Sequence, residues 1–324
     1  MGFISRQIEK IYKGTLFRRR DDDGTLFYFS TEDFPGLKRE KQTFKTQKGH
    51  ILTGYFYHYG ERSSFDKSRL IVFEHGMGDG HRAYMREIES LASHGYLVYS
   101  YDHTGCTESE GEHIMGLSGS LADLDSCISA LVELGFAASD ISVVGHSWGG
   151  FSTLNILGYH PNLHSIVALS GFVSIREMQK QVIPGILAPF RKQLYEVEKS
   201  FNSEYIDSSA VDVLSKTDRP ALIIHSLDDE SVHAKHHYER LRSALSAKPN
   251  ISFLTLTDRS HNPTYTVDAV KYKSEFFKVH KKRQKQNLDR NLESQKAFIA
   301  SYDWHRMTDQ DADVWQKIYD FLDK

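Results

Sequence analysis

Cysteine is scarce in this sequence, because only Cys106 and Cys127 occur among its 324 residues. Two cysteines cannot build the disulfide framework of a small secreted protein, and they fit a reducing compartment. We expect each of them to be a small buried or loop residue. The chain also lacks the apolar run of a signal peptide, and no run approaches the roughly 20 apolar residues that span a bilayer. A cytoplasmic protein without a transmembrane segment is therefore the expectation.

An excess of charge of one sign is also missing. The chain has 40 Lys plus Arg against 43 Asp plus Glu, a formal net charge of −3, which gives no reason to expect a nucleic-acid partner. Only seven prolines are present, and we find no repeat or low-complexity linker. With 40% hydrophobic residues, the chain can fill one sizeable core, so a single folding unit is expected. Its oligomeric state is not indicated.

Alternating and apolar stretches predict the secondary structure. From about residue 40, the alternation in KQTFKT and HILTGYFYHYG predicts an antiparallel hairpin. Later apolar runs predict strands at 69–75, 96–102, 141–146, 165–171, 221–226 and 251–257. Helix-length segments alternate with most of them, at 81–94, 118–134, 148–160 and 232–246. Strands that are apolar on both faces need helices on both sides of the sheet, so we predict a mostly parallel α/β fold with an antiparallel start.

Two segments depart from this alternation. Residues 3–12 have apolar residues at helical spacing. We therefore expect residues 1–39 to form an N-terminal helical extension. Residues 172–219 are too long for a simple crossover and are helical in spacing except at Pro184 and Pro189. We expect this segment to be an inserted helical cap over the carboxyl ends of the strands, where open α/β sheets bind ligands. The core is then about 40–171 and 220–324.

The C-terminal part carries a long polar helical stretch between residues 264 and 310, followed by a final helix within 311–324. The stretch is expected to be a solvated excursion that packs by its Phe and Tyr residues. A dimer contact or a wall of the substrate entrance remains the alternative.

Ser147 lies in the pattern Gly145-His146-Ser147-Trp148-Gly149. The pattern stands between a predicted strand and a predicted helix, the setting in which a sharp turn presents a nucleophilic serine. The glycines on either side leave room for the strained turn. His146 is expected to point away from the serine.

A serine hydroxyl needs a base and an orienting acid to act as a nucleophile. His261 directly follows the last predicted strand, and Asp228 and Asp229 directly follow the preceding one. Because the carboxyl ends of parallel strands share one edge of the sheet, these residues are expected to meet Ser147. The chain order Ser, Asp, His is that of α/β hydrolases.

Attack on a carbonyl also requires donors for the oxyanion. The backbone N–H of Trp148, next to the serine, is one candidate, and the second should come from an earlier strand–helix loop. The loop EHGMGDG (74–80) fits that position, and the Met77 amide is the predicted second donor. The run HAKHH (233–237) has metal-ligand spacing on one helix face, but exposed helical histidines are commoner, so no metal site is predicted.

These residues together resemble the α/β-hydrolase superfamily, within it the branch of monoacylglycerol lipases and of lysophospholipase-like and serine aminopeptidase-like hydrolases. The resemblance covers roughly 40–265 and rests on four stretches: 73–112, GHSWGG (145–150), HSLDDESV (225–232) and SHNP (260–263). It implies a mostly parallel eight-stranded sheet and hydrolysis of a small-molecule ester through an acyl-enzyme, without metal or organic cofactor.

The resemblance also favours Asp229 over Asp228 as the acid, because the family acid lies four residues after a histidine and three before a valine. Ser226 stands where the family pattern has glycine. In the loop DHTGCTES (102–109), Thr104 replaces the family arginine and Thr107 a glycine. These departures concern the packing of loops that support the site.

Three functions are compatible with the sequence. The first is a carboxylic-ester hydrolase acting on a small hydrophobic or acyl-chain ester. The second is an amide or peptide hydrolase of the serine aminopeptidase type, whose cap would need acids to hold the substrate amine, with four candidates: Glu177, Glu196, Glu198 and Glu204. The third is an α/β-hydrolase scaffold that only binds a ligand.

Overall fold

The protein is described by a computed structural model over residues 3–21, 29–61, 69–78, 80–288 and 290–324. Within them one sheet contains eight strands, β1 (Lys38–Lys45), β2 (Ile51–His58), β3 (Leu70–Glu74), β4 (Leu97–Tyr101), β5 (Ile141–His146), β6 (Ser165–Leu169), β7 (Ala221–Ser226) and β8 (Ile251–Leu256). The strand order is β1-β2-β4-β3-β5-β6-β7-β8. The β1–β2 and β2–β4 pairs are antiparallel and the others parallel, which confirms the predicted sheet.

The helices connect these strands. In chain order they are α1 (Phe3–Leu16), α2 (Met85–Ser93), α3 (Gly119–Glu133), α4 (Trp148–Asn155), α5 (Ile175–Val182), α6 (Arg191–Phe201), α7 (Ala210–Lys216), α8 (Tyr238–Leu245), α9 (Val267–Lys285), α10 (Leu292–Ala300), α11 (Trp304–Met307) and α12 (Ala312–Leu322). The predicted helix over 3–12 is therefore confirmed as α1. The extension predicted for 1–39 lies partly outside the described residues.

Apolar residues cover both faces of the sheet. Along β5 every residue is buried, with Val143 in the core on one face and Val144 in the core on the other. Helices α3, α4 and α8 supply apolar side chains to the first core, and α2 and α12 supply them to the second. This burial on both sides is why the central strands are continuous apolar runs in the sequence.

The segment between β6 and β7 is helical, as its spacing predicts. It forms α5, a short 3₁₀ helix at Gly185–Phe190, α6 and α7, and Pro184 lies at the N-cap of the 3₁₀ helix. We refer to residues 172–219 as the inserted segment. The division of the chain into core, extension and cap stays a prediction.

Helix α8 begins later than predicted. The sequence suggests a helix over 232–246, but α8 starts at Tyr238, and residues 233–237 form turns. His237 Nδ1 accepts a hydrogen bond from the Val173 amide at 3.3 Å, and the His233 amide donates to the Gln181 side chain at 2.9 Å. These contacts with the inserted segment hold the turns, so HAKHH does not form one helix face. The described residues include no group of three or more His, Cys, Asp or Glu that could hold a metal ion.

The C-terminal helices α9, α10 and α11 pack on one another through a separate apolar cluster of Phe276, Phe298, Ile299 and Met307, as expected of a helical excursion. Both cysteines are buried and free, as predicted. None of the helices formed by the described part of the chain is long and apolar enough to cross a membrane.

Candidate active site

Ser147 occupies the sharp turn between β5 and α4. Its backbone has φ 57° and ψ −111°, a conformation that costs a non-glycine residue about 1–3 kcal/mol. The Ser147 amide donates to the Leu169 carbonyl on β6 at 2.8 Å, which holds the turn against the neighbouring strand. The predicted strand, turn and helix are thus all present.

Two glycines make this turn possible. A Cβ atom on Gly145 would lie 2.2 Å from Thr153 Oγ1, and one on Gly149 would lie 2.3 Å from the Glu74 carbonyl oxygen. Both distances are far shorter than any real carbon contact. Helix α4 therefore packs directly on the backbone of β3 and β5, and this packing fixes the position of Ser147.

His261 and Asp229 complete a row of hydrogen bonds with Ser147. His261 Nε2 lies 2.8 Å from Ser147 Oγ, and His261 Nδ1 lies 2.8 Å from Asp229 Oδ2. The other Asp229 oxygen accepts the amides of Ser231 and Val232 at 2.8 and 2.9 Å. Burial acts to raise the pKa of Asp229, but the hydrogen bond and the charge of His261, followed by the hydrogen bond from the Val232 amide, lower it on balance. The carboxylate is thus ionised beside the imidazole.

The neighbouring acid, Asp228, has a different position. Its exposed side chain accepts hydrogen bonds from the Ser226 hydroxyl and, at 3.1 Å, from the Ser260 amide. It therefore ties the loop after β7 to the loop that carries His261. Ser226, at the place of the family glycine, takes part in this tie, since its hydroxyl also accepts from the Arg259 amide at 3.2 Å.

His146 has a contact that sequence reasoning missed. Its Nε2–H donates to the backbone carbonyl of His261 at 2.6 Å, and its Nδ1 accepts from the Tyr84 hydroxyl at 2.9 Å. Burial, together with the neighbouring His261, lowers the pKa of His146 to about 3, so the ring is neutral. The only signal in the sequence is its place beside Ser147, which does not reveal a partner 115 residues away.

The two predicted oxyanion donors lie beside Ser147. Trp148 is the first residue of α4, so its N–H is one of the amides that the helix itself does not use. Met77 follows β3 in the glycine-rich loop, and both residues line the same cavity as Ser147.

His75 fixes the peptide bond that carries the Met77 N–H. Its Nε2 accepts the His103 amide at 3.1 Å, so its Nδ1–H donates to the Gly76 carbonyl at 2.7 Å. The Gly76 carbonyl and the Met77 N–H belong to one rigid peptide unit. Burial, followed by the nearby His103, lowers the pKa of His75 well below its usual range, which keeps this ring in the neutral form that can both accept and donate.

The loop 102–109 is packed despite its departures from the family pattern. Asp102 accepts from the His81 amide at 2.9 Å and from His81 Nδ1 at 2.7 Å, and the Thr107 hydroxyl also donates to it. Thr107 takes φ 33° at the place of the family glycine. Thr104 donates to Asp123 through its amide and its hydroxyl, both at 2.8 Å. Threonine is thus accommodated at both positions by hydrogen bonds to buried carboxylates.

Ser147 lies at the side of an apolar cavity of about 460 Å³, a size typical of small-molecule sites. Two groups of side chains line most of it. The inserted segment supplies Met178, Val182, Ile183, Leu187 and Leu194, and α1 supplies Ile8, Ile11, Tyr12, Thr15 and Leu16. The sequence predicts α1 as a helix but gives no sign that it reaches the site.

Comparison with known proteins agrees with the fold. The family described as serine aminopeptidase, S33, matches residues 66–212. An esterase from Pyrococcus furiosus has a TM-score of 0.56 at 18% identity, covering 85% of this chain and 99% of its own. An α/β hydrolase from a Penicillium species has a TM-score of 0.54 at 15% identity, covering 81% and 99%.

An acylaminoacyl peptidase from Pyrococcus horikoshii has a TM-score of 0.55 at 18% identity, covering 71% of this chain and 39% of its own. No curated protein matches the sequence significantly. At these sequence identities, the structural similarity shows only that the fold is shared. The chain therefore has the α/β-hydrolase fold, and over residues 66–212 it resembles the serine aminopeptidase S33 family.

Proposed function

We propose that this protein is a serine hydrolase that cleaves carboxylic esters with a small hydrophobic or acyl-chain acid. The observation that carries the proposal is the hydrogen-bonded row of Ser147, His261 and Asp229 beside an apolar cavity. A nucleophile, a base and an oriented acid within hydrogen-bond distance are the requirements of covalent acyl transfer. The pyrococcal esterase of the same fold agrees with this assignment.

In the first half-reaction, Ser147 Oγ attacks the ester carbonyl carbon while His261 Nε2 takes its proton. Asp229 holds the Nδ1–H of His261 and stabilises the imidazolium that forms. The negative charge on the carbonyl oxygen is stabilised by the backbone N–H groups of Met77 and Trp148. When the intermediate collapses, the C–O bond to the alcohol breaks, and His261 gives its proton to the departing oxygen.

In the second half-reaction, water attacks the acyl-enzyme. His261 takes a proton from the water as the oxygen bonds to the acyl carbon, and the same two amides hold the oxyanion. The bond to Ser147 Oγ then breaks, and the serine recovers its proton from His261. The acid leaves and the free enzyme is restored.

The cavity favours an ester over an aminoacyl amide. Glu177 is engaged by Lys180 at 2.6 Å and by Arg240 at 3.0 Å. Glu198 is buried against other partners, and Glu196 and Glu204 are exposed. None of the four carboxylates is among the described residues that line the cavity beside Ser147. A substrate amine would therefore find none of these four carboxylates there, whereas an acyl chain meets apolar side chains.

A scaffold that only binds a ligand would have no need of the hydrogen-bonded row at Ser147, so this function is the least supported of the three. The cytoplasmic location remains a prediction, with which the two free, buried cysteines agree.

Covalent labelling tests the proposal. A fluorophosphonate probe should label the purified protein, and Ser147→Ala should lose both the label and at least about 10⁴-fold of the turnover of p-nitrophenyl butyrate. Ser139→Ala is the matched control, because Ser139 is exposed before the start of β5, at the opposite end of that strand. A labelled Ser147→Ala variant contradicts the proposal. Faster turnover of leucine p-nitroanilide than of the ester favours the aminopeptidase instead.

A further inference from the structure

Helix α1 presents an apolar face that the protein covers only in part, because Tyr12 packs on Ile183 and Leu194 of the inserted segment while Ile11 stays exposed. Five residues at helical spacing, Ile8, Ile11, Tyr12, Thr15 and Leu16, line the cavity next to Ser147. Ile11 keeps 69% of its surface exposed, although a helix normally buries its apolar stripe. The uncovered surface opens onto the cavity, so an apolar occupant of the cavity would cover it.

The helix is held firmly in this place. The Tyr12 hydroxyl donates to Glu198 Oε1 at 2.7 Å, and Glu198 Oε2 accepts the Leu117 amide at 2.9 Å. Glu198 is fully buried on α6. A single carboxyl group thus joins α1, the inserted segment and the loop before α3, so that α1 forms a fixed wall.

The chain just after α1 is anchored as well. The Arg19 guanidinium donates to the carbonyls of Thr107, Ser109 and Gly111 at 2.6, 3.0 and 2.7 Å, and the Arg20 amide donates to the Gly105 carbonyl at 2.8 Å. These bonds attach the extension to the loop 102–111 of the core. The middle of α1 and the residues that follow its C-terminal end are therefore both hydrogen-bonded to the rest of the protein.

We propose that α1 is the specificity wall of an acyl-binding channel and that the substrates are esters of extended, unbranched acyl chains. This inference rests on the proposed function, and it adds that the length of acyl chain is selected by a helix outside the family-matched residues 66–212. The chain would run from Ser147 between α1 and the inserted segment, past Ile11 and Val182. Each methylene buried there should raise kcat/KM by about four-fold.

The test compares p-nitrophenyl acetate, butyrate, octanoate and laurate. For the wild-type protein, kcat/KM should rise from acetate to octanoate. In Ile11→Trp the indole would obstruct the channel, and the octanoate-to-acetate ratio of kcat/KM should fall at least about ten-fold, the loss of two or more methylene contacts. Ile4→Trp, on the same helix at a 64% exposed residue that does not line the cavity, should keep the wild-type ratio.

The outcomes separate the two proposals. If neither ester nor fluorophosphonate reacts at Ser147, the proposed function itself fails. If esters are cleaved but acetate is preferred, or if Ile11→Trp and Ile4→Trp show the same ratio, the role of α1 is refuted while the hydrolase remains. Should Ile11→Trp not fold, Ile11→Asp decides, since a charge at this exposed position leaves the fold intact and places a carboxylate in the acyl path.

Discussion

The replacement of Asp229 by asparagine tests the proposed mechanism at a single atom. Asp229 Oδ1 accepts two backbone amides, from Ser231 and Val232. In Asp229→Asn only the side-chain oxygen can accept these bonds, so the amide nitrogen must face His261. That nitrogen donates a hydrogen bond, which His261 Nδ1 would have to accept. The imidazole then carries its own proton on Nε2, where it cannot take the proton of Ser147.

The expected loss is large because the variant stabilises the wrong tautomer of the base. An aspartate-to-asparagine change in a triad of this geometry lowers kcat by about 10⁴-fold, which corresponds to about 5 kcal/mol of transition-state stabilisation. Substrate binding in the apolar cavity does not involve Asp229, so KM should change little. The assay is steady-state hydrolysis of p-nitrophenyl butyrate, with thermal unfolding measured alongside.

Asp228→Asn is the matched control, with the same change one residue away. Its side chain bonds the Ser226 hydroxyl and the Ser260 amide rather than His261, so kcat should stay within about three-fold of the wild-type value, a surface-sized effect. Asp229→Asn with more than a tenth of the wild-type kcat would refute the tautomer argument. An equal loss in both variants would show that the loop, not the base, had been disturbed.

Two further predictions concern buried groups around the site. Burial raises the pKa of Glu198 to about 7, so the folded protein holds this proton more tightly than the unfolded chain. The free energy of unfolding of the wild type, measured by urea unfolding and compared with that of Glu198→Gln, should fall by about 3 kcal/mol as the pH rises from about 4.5 to above 7. A difference between the two proteins that does not change with pH would contradict this prediction. His146→Phe should lower kcat by about ten- to a hundred-fold, because His261 loses the donor that positions its backbone. His146→Gln, whose amide can donate to the same carbonyl, should keep most of the rate, and an equal loss in both variants would argue against positioning.

Much of the fold was predictable because each strand from β3 to β7 is buried on both faces. The run ISVVGH, for example, becomes β5 with every residue buried, so the sequence shows a continuous apolar stretch. Parallel strands also bring their carboxyl ends to one edge, which is why Ser147, Asp229 and His261 could be expected to meet. The start of α8 could not be predicted, since the turns before it depend on bonds from His233 and His237 to the inserted segment.

Two features of the site depend on geometry that local sequence does not encode. The resemblance favours Asp229 over Asp228, and the physical difference between them is that only one carboxylate accepts the amides of Ser231 and Val232 while facing His261. Amphipathic spacing likewise predicts α1 but not its partner. An apolar stripe covers whichever apolar surface the tertiary fold offers, and here that surface belongs to a cavity.

The chemical and selective parts of the site therefore have different origins in the chain. The row at Ser147 is built from loops at strand ends, and its geometry is fixed by backbone contacts such as those of Gly145 and Gly149. The acyl channel is built from α1 and the inserted segment, which meet at the bond between Tyr12 and Glu198. Since α1 and α6 share this bond, a change in one helix should move the other. Acyl selectivity should consequently respond to substitutions in either helix that leave the row at Ser147 untouched.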